Sequence, residues 1–290
     1  MKIVVSIVNY NTKDLTEKCL QSLGDWPSEF EVWVVDNASV DESVEMIAKF
    51  PRVKLIKNKT NVGFGKAHNQ VFNQVLGDYY IVLNSDAEVE EGTLEEITKF
   101  MVDNPECGLA GCKVLGFDGK LQPSAGDQPI GLALISWLYN LEIIGIKKSF
   151  HRTDSEYYEN VHEVGWVSGN FFIISQKALK KVSGFNEKYF MYFEDTELCY
   201  RIKKSGFTVM INPKVVVKHL SGGSLDNPRL RQWVGEYRGL LIFYKGLYGD
   251  LVSFLIRILI YKSIILRMLA FAITGKLNYS FLYAKVITSL

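Results

Sequence analysis

The feature that most constrains this chain is an alternation in its first half, where short apolar runs are separated by stretches with helical periodicity. Strands are expected at Ile3 to Val8, Glu31 to Val35, Val53 to Ile56 and Tyr79 to Leu83, with helices near residues 13–23, 41–49 and 64–76. In the third helix Phe64, Ala67, Val71 and Val75 form the buried stripe, with His68 and Phe72 beside it. This is the signature of β-α units building a mostly parallel sheet. A turn-rich zone with Gly116, Gly119, Pro123, Gly126 and Pro129 interrupts it, and residues 130–162 read as an irregular insertion with one apolar patch. Segments of that kind often shape a binding site. The pattern resumes with a strand from Asn170 to Ser175, a helix from Gln176, a helix carrying Asp195 and a strand from Phe207 to Ile211.

With 290 residues and 48% hydrophobic content, the chain can bury one large domain, or a domain plus an appendage. A formal net charge of +1 removes any global field for nucleic acid or other polyanions. Cys19, Cys107, Cys112 and Cys199 show neither C-x-x-C nor zinc spacing, so buried free thiols in a reducing compartment are expected. Met1-Lys2 and the run to Val8 are too short for a signal peptide and read as the first strand.

The character changes near Glu236, which suggests a domain over 1–235 and a tail over 236–290. The tail is apolar and basic, with Arg238, Lys245, Arg257, Lys262, Arg267, Lys276 and Lys285 against Glu236 and Asp250. It has no uncharged run near the roughly 18 apolar residues that span a bilayer. Val252, Leu255, Leu259, Leu266, Ala270 and Ile273 lie on one helical stripe, which suits helices resting at a membrane interface with snorkelling cations. Packing back on the N-terminal domain, or a homodimer interface, is the alternative.

Three acidic positions carry candidate chemistry. Asp195 shares an inward stripe with Leu198, Cys199 and Ile202, while Glu194, Glu197, Arg201 and Lys204 fall on the expected wet face. An inward aspartate costs desolvation unless it is paired or faces a solvated cleft, so it is either catalytic or a helix cap. Asp36-Asn37 and Asn84-Ser85-Asp86 each follow a strand, where ligands bind in open α/β sheets. Asp36 could meet a base or ribose and Asp86 a divalent cation, and either could instead cap a helix. Between them, Asn61 to Asn69 is a glycine-containing helix entry whose amides and Lys66 could contact an anion. It is neither the dinucleotide fingerprint nor a Walker loop.

The ordered motifs together resemble the inverting nucleotide-sugar glycosyltransferases of family two, over roughly residues 3–224. They are Val5 to Asn11, Val35 to Asp41, Asn61 to Phe64, Leu83 to Asp86, Gly184 to Glu187, Phe193 to Asp195 with Leu198 and Arg201, and His219. The resemblance implies a GT-A, Rossmann-like α/β fold with a mostly parallel central sheet flanked by helices, followed here by a helical membrane-associating extension. It implies that Asp195 is the catalytic base, supported by Glu194 and Arg201. Val8, Asn9, Tyr10, Asp36, Asn37, Asn61, Gly63, Lys66, Asn84, Ser85 and Asp86 would bind the donor. Asp86 and His219 would hold Mg²⁺ or Mn²⁺ against the diphosphate, although Ser85-Asp86-Ala87 supplies one carboxylate where the family's D-x-D element has two. Trp166, Gly169 and Asn170 would border the acceptor, a tight turn and a core aromatic being the other explanation. A charge on Glu194 and a cleft-facing position would both raise the pKa of Asp195.

The segment His219-Leu220-Ser221-Gly222-Gly223-Ser224 and the basic tail look most like bacterial rhamnosyltransferases of surface-polysaccharide assembly. The expected donor is therefore dTDP-rhamnose, with a UDP-hexose or UDP-N-acetylhexosamine as the alternative. The acceptor would be a glycan or lipid-linked glycan, and the place the cytoplasmic face of the cell membrane. A sugar-phosphate nucleotidyltransferase lacks support, because no glycine-rich arginine loop follows the first strand. A non-catalytic carbohydrate-binding scaffold is the rival of another class.

Overall fold

The computed structural model describes residues 1–220 and 228–290. Its strands are β1 (Ile3–Asn9), β2 (Phe30–Asp36), β3 (Lys54–Lys57), β4 (Tyr79–Asn84), β5 (Ala87–Val89), β6 (Cys107–Leu115), β7 (Leu121–Gln122), β8 (Ala125–Gly126), β9 (His162–Glu163), β10 (Trp166–Val167), β11 (Phe171–Ser175) and β12 (Thr208–His219). Its helices are α1 (Lys13–Ser22), α2 (Ser43–Ile47), α3 (Phe64–Gln74), α4 (Thr93–Asp103), α5 (Leu132–Tyr139), α6 (Gln176–Val182), α7 (Glu194–Lys204), α8 (Pro228–Ile273) and α9 (Leu277–Ser289).

The central sheet runs β3-β2-β1-β4-β11-β6-β12-β5. β3, β2, β1 and β4 are mutually parallel, whereas β11 is antiparallel to both its neighbours and β5 closes the far edge antiparallel to β12. Side chains alternate between two cores. Ile3, Val5 and Ile7 of β1 enter one core with Cys19, Leu20, Met46, Leu94 and Ile97 of α1, α2 and α4. Val4 enters the other, with Val71 and Phe72 of α3, Leu179 of α6, Leu198 of α7 and Leu240 of α8. Covering both faces is what the unbroken β-branched runs require.

Several expectations are corrected. The helix expected over 41–49 shrinks to Ser43–Ile47. β6 escaped the sequence pattern because Gly108 and Gly111 dilute it. A Cβ at Gly108 would sit 2.7 Å from the Cβ of Phe207, and one at Gly111 2.7 Å from that of Val167, so the glycines admit crossing elements. The strand expected to end at Ile211 continues to His219 through a register shift between Asn212 and Val216, and that irregularity accommodates Pro213. The insertion at 130–162 contains α5 and two 3₁₀ turns, at Leu141–Ile144 and Ser155–Tyr158, so it is more ordered than its composition suggests.

The C-terminal extension is helical. α8 is broken at Gly249 (φ 84°, ψ −179°), a conformation that suits glycine. Beyond the break, Ile256, Ile260 and Ile264 face inward, while Leu255, Leu266, Ala270 and Ile273 of the anticipated stripe are exposed. No helix among the described residues is long and apolar enough to cross a membrane.

Candidate active site

The carboxyl ends of β1, β2 and β4 meet at one edge of the sheet, and the topology brings two further strands to it. Because β11 runs antiparallel to β4, with Phe171 opposite Leu83, its preceding residues Gly169 and Asn170 arrive at that edge. Because β12 ends with His219 opposite Ala87, the imidazole lies beside Asp86. A cleft of about 620 Å³ opens here. Val8, Tyr10, Asn37, Asn61, Gly63, Asn84, Ser85, Asp86, Trp166, Gly169, Asn170, Glu194, Asp195 and His219 line it. Gly63 sits at φ +88°, and a Cβ there would lie 2.5 Å from the carbonyl oxygen of Phe190, so only glycine fits.

Four anticipated site residues lie elsewhere. Asn9 is buried and donates to Asp36 Oδ1 at 2.7 Å and Ser39 Oγ at 2.9 Å, while accepting from Thr12 and Thr16. Asp36 is buried as well; its Oδ2 accepts from the Ser39 amide, so it braces the loop behind the cleft wall. Lys66 points away from the cleft to Glu187 at 3.5 Å, with both side chains about half exposed. Arg201 clamps Glu197 through Nε and Nη2 and reaches the Val182 carbonyl with Nη1, because the i, i+4 spacing turns it along its own helix.

Asp195 is reached through a strained turn. Tyr192 (φ 70°) and Phe193 (φ 76°) both adopt left-handed backbone just before α7 starts at Glu194. Consecutive non-glycine residues there cost about 1–3 kcal/mol each and persist only when their surroundings enforce them. The enforcing element is α8, whose Gly235 and Gly239 let the turn approach. Added Cβ atoms would lie 2.4 Å from Tyr192 Cδ2 and 2.3 Å from Phe193 Cβ. Asp195 is half-buried and accepts from the Gly169 amide through Oδ2 at 2.8 Å and from the Thr196 amide through Oδ1 at 2.7 Å.

Burial raises the Asp195 pKa, those two amides pull it back, and the charge of Glu236 raises it further. Glu194 is not on a wet face: it is 5% exposed, and its Oε2 has no hydrogen-bond partner among the described residues. Burial first, and then the charge of Asp195, lift its pKa well above the ordinary carboxylate value. Asp195 is held by two backbone N–H donors, which favour its charged form, whereas burial and the Asp195 charge favour the protonated form of Glu194. Glu197 is buried too, paired with Arg201.

Asp86 Oδ1 lies 3.1 Å from His219 Nε2, and both side chains are nearly enclosed. A carboxylate and an imidazole suit a divalent cation that completes its shell with diphosphate oxygens and water. Among the described residues no three such donors gather, and Glu88 does not line the cleft. Residues 221–224 of the motif that begins at His219 lie outside the described residues.

The opposite wall was legible in the sequence only as the insertion at 130–162, and its individual residues were not. Trp137, Phe150 and His151 come from the insertion, and Trp233, Glu236, Tyr237, Arg267 and Tyr283 from the C-terminal helices. Their one shared signal is an aromatic-rich composition.

With this geometry in place, comparison with known proteins is decisive at the level of family. Residues 4–183 match the family described as Glycosyl transferase family 2. The chain belongs to that family. It is a nucleotide-sugar glycosyltransferase. It is 26% identical over 229 residues to an N-acetylglucosaminyl-diphospho-decaprenol L-rhamnosyltransferase of Mycobacterium tuberculosis, covering 73% of each chain. It is 23% identical over 212 residues to Rhamnosyltransferase WbbL of Escherichia coli K12, covering 70% of this chain and 78% of that one. A mannosyltransferase from Pyrobaculum calidifontis, solved with GDP-Man and Mn²⁺, superposes with a TM-score of 0.63 at 15% identity, covering 99% of this transferase and 85% of that chain. That likeness shows the GT-A-like fold.

Proposed function

We propose that this transferase moves L-rhamnose from dTDP-rhamnose, with inversion, to a hydroxyl of a glycan or lipid-linked glycan in cell-surface polysaccharide synthesis. The observation that carries the transfer chemistry is that Asp195, held by the Gly169 and Thr196 amides beside a buried Glu194, shares one cleft with Asp86 and His219. The rhamnosyl donor is favoured by the two relatives named above.

In this scheme the nucleoside lies along Val8, Tyr10, Asn37, Asn61 and Gly63, and the diphosphate reaches Asn84, Ser85 and Asp86. The acceptor enters beside Trp166, Gly169 and Asn170. Its hydroxyl oxygen bonds to the anomeric carbon as the bond from that carbon to the diphosphate breaks on the opposite side. The hydroxyl proton passes to Asp195, whose raised pKa suits a base near neutral pH. Holding Glu194 neutral leaves one carboxylate to take that proton. Asp86 and His219 would hold Mg²⁺ or Mn²⁺, whose chemistry when bound is to neutralise charge growing on the leaving diphosphate.

The membrane reading belongs to this proposal. After Gly249, Leu251, Phe254, Leu255, Ile258, Ile265, Leu266, Leu269 and Ile273 are exposed along one side of α8, with Lys262 among them. A contiguous apolar face of this kind with basic neighbours fits an anionic lipid surface on the cytoplasmic side. The test of the donor is calorimetric titration with dTDP, UDP and GDP, each with and without Mg²⁺ or Mn²⁺. Selective, metal-dependent binding of dTDP is expected. Preference for UDP would move the donor to a hexose or N-acetylhexosamine, and binding of none would defeat the reading.

A further inference from the structure

Gln122 is held in one orientation by the backbone of the residue it serves. β7 sets it opposite Val114 of β6, and its Nε2 donates to the His219 carbonyl oxygen at 2.8 Å. The other end of the carboxamide, Oε1, therefore faces the ring and lies 3.0 Å from His219 Nδ1. A carboxamide oxygen has no hydrogen to give, so Nδ1 carries one. In a neutral imidazole Nε2 is then the bare nitrogen. A second contact agrees, for the Asn84 amide nitrogen lies 3.4 Å from Nε2 and is a donor. That bare nitrogen sits 3.1 Å from Asp86 Oδ1 in a nearly enclosed place.

We propose that Gln122 is a positioning residue for a divalent cation, locking His219 in the Nδ1–H tautomer so that Nε2 and the Asp86 carboxylate present one mixed donor pair. The inference rests on reading the cleft as a cation-assisted donor site. Gln122, which also lines the cleft, acts on the cation through His219. Partners that fix the tautomer of a metal-ligating histidine typically contribute about 10–100-fold in metal affinity. A nitrogen-containing pair also favours Mn²⁺ over Mg²⁺, whose ligands are oxygen.

The experiment is a Mn²⁺ titration of the full chain in the presence of dTDP, read by loss of the free-ion electron paramagnetic resonance signal. Gln122→Leu is expected to weaken Mn²⁺ binding by about 10–100-fold. Gln122→Glu keeps an oxygen for Nδ1–H and is expected to stay within about threefold of the unaltered protein, by the same logic. A cation-free readout accompanies it: the imidazole ¹⁵N spectrum, simple in a chain of 4 histidines, should show the Nδ1–H tautomer at His219 and lose it in Gln122→Leu. Mn²⁺ affinity unchanged in Gln122→Leu, equal loss in both variants, or an Nε2–H tautomer in the unaltered protein would each overturn the proposal. Binding of dTDP indifferent to Mn²⁺ would overturn it while leaving the donor site intact. Failure to bind dTDP, UDP or GDP would instead defeat the reading on which it rests.

Discussion

Substituting Gly239 by alanine tests whether the C-terminal helices belong to the catalytic machinery. The added Cβ would lie 2.3 Å from Phe193 Cβ, 2.9 Å from Phe193 Cγ and 3.2 Å from the Tyr192 carbonyl oxygen. Carbon atoms in contact sit about 3.5–4.0 Å apart, so α8 and the turn must separate by on the order of 1 Å. The turn cannot yield by a rotamer change, because the clash is with Cβ itself and both residues are already left-handed. Relief therefore moves the start of α7, and Asp195 with it.

Overpacking of this kind costs about 1–3 kcal/mol of stability. A displacement of about 1 Å at a reacting group costs about 10²-fold in rate. The assay is release of nucleoside diphosphate from the donor without acceptor, beside calorimetric binding of the nucleoside diphosphate. Turnover should fall about 100-fold while nucleotide affinity stays within about twofold, since the donor wall belongs to β1, β2 and β4. Gly246→Ala is the control on the same helix: a Cβ there meets nothing within 4 Å among the described residues, and activity should be kept. Full turnover in Gly239→Ala would refute the claim that α8 positions Asp195.

Glu194→Gln should become progressively more stable than the unaltered protein as pH rises above the ordinary carboxyl value of 4.5. The folded carboxyl retains its proton above that value while the unfolded chain releases it, so native stability falls as pH rises. Melting curves that keep a constant separation would contradict a neutral Glu194. Lys66→Ala should leave donor affinity within about twofold, because its exposed pair with Glu187 contributes about 0–1 kcal/mol away from the cleft; a tenfold loss would return Lys66 to the donor site. The double variant Phe254→Glu and Leu266→Glu should reduce co-sedimentation with anionic vesicles more than about tenfold, since burying each side chain in lipid contributes about 1.5–3 kcal/mol. Unchanged co-sedimentation would mean that this face is covered by something other than lipid.

The parallel half of the sheet was legible because β1, β2 and β4 are apolar on both faces and bounded by turns, a pattern that depends on local sequence alone. The inward setting of Asp195 was legible for the same reason, through its spacing from Leu198, Cys199 and Ile202. Glu194 was misjudged because helical periodicity assigns it to solvent, whereas α8 and the insertion roof over that side of α7. Asp36 was placed in the cleft because it follows a strand, but Asn9 and Ser39 claim its oxygens, and no periodicity reports such pairing. Gln122 had no signal at all, since its partner His219 is 97 residues away and its strand has two residues. The tail was read as an appendage because its cations and apolar residues dominate its composition. That Gly235 and Gly239 would seat a strained turn depends on a tertiary contact.

The central claim is that Asp195 takes the acceptor proton, and Asp195→Asn tests it most directly because the carboxamide keeps size and one acceptor oxygen for the Gly169 or Thr196 amide. Transfer rate and nucleoside diphosphate affinity should be measured on the same preparation. The account predicts a fall of about 10²–10⁴-fold in rate, the usual contribution of a general base, with affinity within about twofold. Near-normal turnover would remove Asp195 from the mechanism.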